Sequence, residues 1–204
     1  MSLVLIAGTN SWDGYDAVDW YCPEHPFSRM LLENGCEPLY DAKHPFIWST
    51  DADGLPLDRK NHIDWQSGGA ALSYYMRMAG LKEIDVIAHS HGLQVALYAA
   101  AVYGVKIRNM MSMGSPVRKD MEAVAKAARL DIKQWLHVHS DGSDKWQWLG
   151  EMFDGKLGIV REHPLADRND FVPKVGHSEL LRDPSKYHFW KEKGWVDFLC
   201  GKQS

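Results

Sequence analysis

The stretch from Ile84 to Gly104, IDVIAHSHGLQVALYAAAVYG, constrains the fold of this chain more than any other. Ile84, Val86, Ile87 and Ala88 make a short run rich in β-branched residues, as in a strand buried on both faces of a parallel sheet. Leu93 to Tyr103 then reads as a helix, apolar nearly all round and heavy in alanine, with Gly104 as its C-terminal stop. Between them lies Ala88-His89-Ser90-His91-Gly92. A strand that turns sharply into a helix with a serine at the apex needs small residues two before and two after it, because neighbouring backbone crowds the turn. Ala88 and Gly92 meet that need. The plainer alternative is that Ser90 caps the helix.

The rest of the chain repeats this alternation. Leu3 to Ala7 is a buried-type strand, Pro26 to Asn34 a short helix closed by Gly35, and Pro45 to Trp48 a short strand candidate. Trp65 to Gly80 has Ala70, Ala71, Tyr74, Tyr75, Met78 and Ala79 spaced for the inner face of a helix. Ile107 to Met113 forms a strand ended by Gly114-Ser115-Pro116, Asp120 to Leu130 a helix, and Trp135 to His139 the last clear strand. Strand, helix, strand in sequence is the parallel crossover unit. It predicts an α/β fold of three layers, α/β/α, with a mostly parallel central sheet whose C-terminal edge holds the ligand crevice. The 204 residues, 45% hydrophobic and 25% charged, suffice for a single domain over 1–204.

Composition narrows the partners. A formal net charge of -4 and the lack of a basic run exclude nucleic acid as the main partner, and a small-molecule acyl or ester substrate fits better. MSLVLIAGTN lacks a cationic leader, and no stretch reaches the length of a membrane span, so the expected location is cytoplasmic, with a leaderless secreted or phage-borne protein as the alternative. Cys22, Cys36 and Cys200, odd in number and widely spaced, read as reduced thiols.

Ala88-His89-Ser90-His91-Gly92 resembles the nucleophile elbow of the α/β-hydrolase family, usually Gly-x-Ser-x-Gly, with Ala88 in place of the first glycine. The resemblance implies the α/β-hydrolase fold, with Ser90 as nucleophile and an acid and a histidine following it along the chain. It also implies an oxyanion hole made by the backbone N–H of His91 and one from the loop after an early strand, for which Thr9 is the candidate.

A serine hydroxyl needs a base, and the base needs a carboxylate to hold its tautomer. After the strand ending at His139 comes Ser140-Asp141-Gly142-Ser143-Asp144. In the family the acid typically follows a glycine by two or three residues there. That favours Asp144 over Asp141, which can serve instead as a turn residue, and over Asp170, which would share one loop with the histidine. Among the downstream histidines, His137 and His139 lie in a strand pattern, His163 precedes a proline, and His188 sits among aromatics. His177, in Gly176-His177-Ser178-Glu179-Leu180-Leu181, is similar to the family's last catalytic loop and is the expected base. Residues 146–174, with Trp146 and Trp148, form a candidate lid; completion of the core is the alternative.

The expected activity is therefore that of a serine hydrolase, an esterase or lipase-like enzyme without a cofactor. The same machinery serves an acyltransferase or amidase, and a non-catalytic binding protein on the same fold is the rival. A third reading gathers His89, His91, His137 and His139 into a metal site, since alternate residues of a strand share a face.

Overall fold

Five parallel strands lie side by side in chain order, β1 (Leu3–Ile6), β2 (Glu83–His89), β3 (Lys106–Met113), β4 (Ile132–Ser140) and β5 (Arg168–Val172). The computed structural model describes residues 2–8, 19–40, 46–48, 65–141 and 162–201. Parallel neighbours require crossovers, and helices supply them. α1 (Pro26–Glu33) and α2 (Trp65–Met78) fall between β1 and β2, α3 (Gly92–Tyr103) between β2 and β3, and α4 (Glu122–Ala128) between β3 and β4. Three short helices, α5 (Glu179–Arg182), α6 (His188–Glu192) and α7 (Trp195–Cys200), follow β5.

The pleat sorts the strand residues between two cores. Leu3 and Leu5 of β1 join Ile87, Leu136 and Val138 in a core with Phe27, Trp190 and Trp195, against α1 and the C-terminal helices. Val4 and Ile6 point the other way, into a core with Leu72, Leu93, Val95 and Trp135. There α3 packs between α2 and α4. Gly92, Leu93, Gln94, Val95, Ala96 and Leu97 are all buried, which accounts for a helix without a polar stripe. Gly104 ends it in the left-handed region at φ 66°. The three-layer α/β/α architecture with a parallel sheet is thus the one expected from the alternation of elements.

Four expectations are corrected. The inner face of α2 is formed by Gly68, Gly69, Leu72 and Met76, whereas Tyr74 and Met78 of the expected face are exposed. Phe46 to Trp48 forms no strand; the segment instead buries Phe46 and sends the Trp48 indole N–H to the carbonyl of Ala7 at 2.7 Å. The sheet gains β5, which pairs with β4 from Leu136↔Arg168 to Ser140↔Val172, so the end of the candidate lid at 146–174 is a sheet strand; its residues 146–161 lie outside those described. Among the described residues β5 sits at the sheet edge with one strand neighbour, where a polar sequence such as Arg168-Asn169-Asp170 is tolerated. Finally, Cys36 and Cys200 are joined in a disulfide across 164 residues of sequence, with a Cα–Cα distance of 5.6 Å. Only Cys22 is a free thiol, and burial pushes its pKa up.

Candidate active site

Ser90 terminates β2 at the C-terminal edge of the sheet with φ 53°, one of two non-glycine residues with positive φ among those described. A β-carbon in this region is strained, and a residue is held there only when its surroundings over-determine it. Here they do. The Ser90 N–H donates to the carbonyl of Met113 at the end of β3, at 3.0 Å. From below, Gly92 brings the start of α3 against β1: a Cβ on it would collide with the carbonyl oxygen of Ile6 and stand 2.8 Å from that of Ala7. This close approach forces the chain to turn at Ser90. His91 precedes α3 with no side-chain capping bond, and the Ser90 carbonyl accepts the Leu93 N–H at 3.2 Å.

Gly8, two residues after β1, lies close against the serine. A Cβ on Gly8 would lie 2.7 Å from Cβ and 3.2 Å from Oγ of Ser90. Trp48 fixes the preceding Ala7 carbonyl. Thr9, the expected second oxyanion donor, lies outside the described residues, as does Trp12. His91 is described. Its backbone opens the 12-residue helix α3, whose N-terminal end carries the positive pole of the helix dipole toward the crevice edge. Its ring packs on Trp65 with centroids 5.4 Å apart. The buried Arg118 guanidinium stacks on the same Trp65 ring at 4.7 Å while pairing with Asp120. Gln94, one turn into α3 and fully buried, donates to the Pro116 carbonyl at 3.1 Å.

His177 reaches the same edge from the loop after β5. It lies on Gly114, the residue after β3, where a Cβ would stand 2.9 Å from the His177 carbonyl and 3.4 Å from its Nδ1. Only glycine leaves that space, and its φ of 55° favours glycine as well. His177 thus contacts the strand end that receives the Ser90 N–H. The His177 carbonyl accepts a hydrogen bond from Nε2 of His89 at 2.9 Å, and the two rings lie 4.7 Å apart. A cavity of about 20 Å³, room for about one water, lies between His177 and the ends of β3 and β4, lined by Gly114, His139, Ser140 and Val175.

Of the three candidate acids, Asp144 lies outside the described residues, with Trp146 and Trp148. Asp141 stands at the tip of β4, and its Oδ2 accepts the N–H of Lys174 at 3.0 Å, tying β4 to the loop that carries His177. Asp170 is engaged elsewhere. It lies on β5, paired with Arg168 through both oxygens and accepting the Trp195 indole N–H at 2.7 Å.

The histidines read as a metal cluster have separate environments. His89 faces His177, and His91 packs on Trp65. His137 is fully buried, with Nδ1 bonded to Ser112 Oγ at 2.7 Å, and stacks parallel to His139 at 6.0 Å. No group of three or more potential metal ligands is assembled among the described residues. His163 is also buried, stacked 4.0 Å from Trp135, and burial drives its pKa down to about 4. His188 is bonded to the carbonyl of Ser185 and packs on Phe189.

Two residues of this region escape a reading of sequence motifs. Gly8 carries no motif, although an apolar strand ending in Ala7-Gly8 hints at a close approach. His89 occupies a variable position of the elbow pattern, and its partner is 88 residues away. Among the described residues, no helix is long and apolar enough to cross a membrane.

No family model matches the chain, and no curated protein matches it. Solved structures do. A carboxylesterase of the thaumarchaeon Nitrososphaera gargenis superposes with a TM-score of 0.57 at 11% identity, covering 99% of this chain and 92% of that one. An alpha/beta hydrolase fold protein from Nakamurella multipartita gives 0.56 at 8%, covering 98% and 92%. A carboxylesterase from Bacillus subtilis gives 0.53 at 9%, covering 98% and 84%. At such identities the likeness is one of fold.

Proposed function

We propose that this chain, which has the α/β-hydrolase fold, is a serine hydrolase that cleaves carboxylic ester bonds through an acyl-enzyme. The observation that carries the reading is the strained backbone of Ser90 at the β2–α3 turn, with Gly8 against its side chain and the His177 loop against the adjoining strand end. A buried capping serine has no use for such a geometry; a nucleophile presented to a substrate does.

In the proposed reaction His177 takes the Ser90 Oγ proton as the oxygen attacks the ester carbonyl. The backbone N–H groups of His91 and Thr9 donate to the developing oxyanion, reinforced by the N-terminal end of α3. As the C–O bond to the alcohol breaks, His177 returns its proton to that leaving oxygen. Water, deprotonated by the same imidazole, then attacks the acyl carbon and releases the acid and Ser90. Asp144 holds the His177 tautomer and stabilises the imidazolium. The Cys36–Cys200 bridge favours an oxidising compartment over the cytoplasm expected from the leader-free start of the sequence.

The test is reaction with a fluorophosphonate probe, followed by peptide mapping and assay on a short-chain ester. Labelling falls on Ser90 and is abolished by Ser90→Ala and His177→Ala. A wild-type protein that is neither labelled nor active on the ester is a binding protein. Transfer of the acyl group to an added alcohol in preference to water identifies an acyltransferase.

A further inference from the structure

We infer that His89 is a positioning residue that sets the His177 loop against the nucleophile; this rests on the assignment of Ser90 and His177 as nucleophile and base. His89 is the last residue of β2 and is covalently joined to Ser90, so its backbone cannot move without moving the elbow. Its Nε2 lies 2.9 Å from the carbonyl oxygen of His177, 88 residues away. A carbonyl only accepts, so Nε2 carries a proton and His89 is the donor.

The ring is itself held. It is 6% exposed, and the buried Trp20 packs its edge against it with centroids 6.0 Å apart. The His177 ring lies 4.7 Å away at 57°. Ser178 Oγ approaches the same Nε2 at 3.4 Å, a longer contact with the same loop. One rigid, two-torsion side chain therefore spans from the backbone of the nucleophile to the backbone of the base. The loop is also tied to β4 upstream of His177, where Asp141 accepts the Lys174 N–H and Ser140 Oγ donates to the Val175 carbonyl at 2.7 Å; the His89 bond acts at His177 itself. Since the imidazole bonds a main-chain carbonyl, it fixes where the His177 side chain starts. It acts through the main chain of His177, with its own ring packed beside the His177 ring. A displacement of about 1 Å between catalytic groups costs on the order of 100-fold in rate.

The test compares His89→Leu, which keeps bulk and loses the donor, with His89→Gln, whose amide N–H extends to a similar reach. With a short-chain ester, His89→Leu lowers kcat by roughly 10- to 100-fold with KM within about twofold of wild type, and slows fluorophosphonate labelling of Ser90 by the same factor. His89→Gln restores kcat to within about threefold by the same reasoning. Far-UV circular dichroism and thermal unfolding accompany both, and should His89→Leu fail to fold, His89→Gln against the shorter His89→Asn decides in its place. Unchanged kcat in a folded His89→Leu, or equal losses in the Gln and Asn variants, overturns the positioning role alone. Wild-type protein without labelling or hydrolysis overturns the hydrolase assignment and this role with it.

Discussion

Gly8 and Ser90, 82 positions apart in sequence, are separated by so little space that a single methyl group on Gly8 would stand 2.7 Å from the serine Cβ and 3.2 Å from its Oγ. The two strands that deliver them, β1 and β2, are paired in register from Leu3↔Asp85 to Ile6↔Ala88, so neither can retreat without breaking the sheet. Gly8→Ala is expected to push the serine hydroxyl off its position and reduce kcat at least 10-fold, on the scale of misplaced catalytic groups. Comparison of kcat with thermal stability checks this, because the loss of rate should exceed what any unfolded fraction explains.

Gly92→Ala should act on the fold instead. The added Cβ meets main-chain oxygens of Ile6 and Ala7, which cannot swing aside as a side-chain tip can. Overpacking of this kind costs about 1–3 kcal/mol. Urea unfolding should show a lower midpoint at unchanged slope.

The acid is tested by a pair of substitutions. Asp144→Asn should lower the ester-cleavage rate by about 10⁴, the loss seen when the histidine of a triad is left in the wrong tautomer. Asp141→Asn should have a smaller effect, since its carboxylate accepts the Lys174 N–H at a turn where Lys174 has φ 57°. A large loss in Asp141→Asn with Asp144→Asn unaffected would transfer the role to Asp141.

Thiol titration without reductant should find one reactive group in the denatured chain, Cys22, rather than three. The Cys36–Cys200 link closes almost the whole chain into one loop and ties the end of α7 to the segment after α1. Its loss should cost about 2–5 kcal/mol. Chemical unfolding with and without dithiothreitol, and of Cys36→Ser with Cys200→Ser, measures it.

Acid should destabilise the protein through His163. Burial holds its folded pKa near 4, and its Nδ1 accepts the Leu165 N–H at 3.3 Å, which also requires the unprotonated nitrogen. Between an unfolded value of about 6.5 and the folded value near 4, the unfolded chain binds a proton that the folded chain does not, so stability falls as pH falls across that window and levels off below it. The full effect is on the order of 3 kcal/mol. His163→Gln removes the titration, and its stability should depend less steeply on pH between 6.5 and 4 than that of the wild type.

Much of this was legible in the linear pattern. The β-branched run before Ser90 and the apolar helix after it announced a strand and a helix buried on a sheet, and both formed within a residue of the expected bounds. Gly104, Gly80 and Gly35 marked helix ends and all have positive φ. β5 was not legible, because an edge strand with polar residues carries neither alternation nor an apolar run. The acid was not separable either, since Asp141 and Asp144 share one turn and differ only in where the fold aims them.

By itself, then, the sequence determined the conformations around the elbow, the parallel order of the first four strands and the serine at their edge, since periodicity and the small residues flanking Ser90 are properties of neighbours in the chain. Only the tertiary structure decided which distant groups meet: Gly8 over Ser90, Cys36 with Cys200, and His89 on the carbonyl of His177. Those pairings depend on how strands 80 or more residues apart are registered and which loops the sheet edge brings together. Residue type and spacing carry no record of that until the chain has closed on itself.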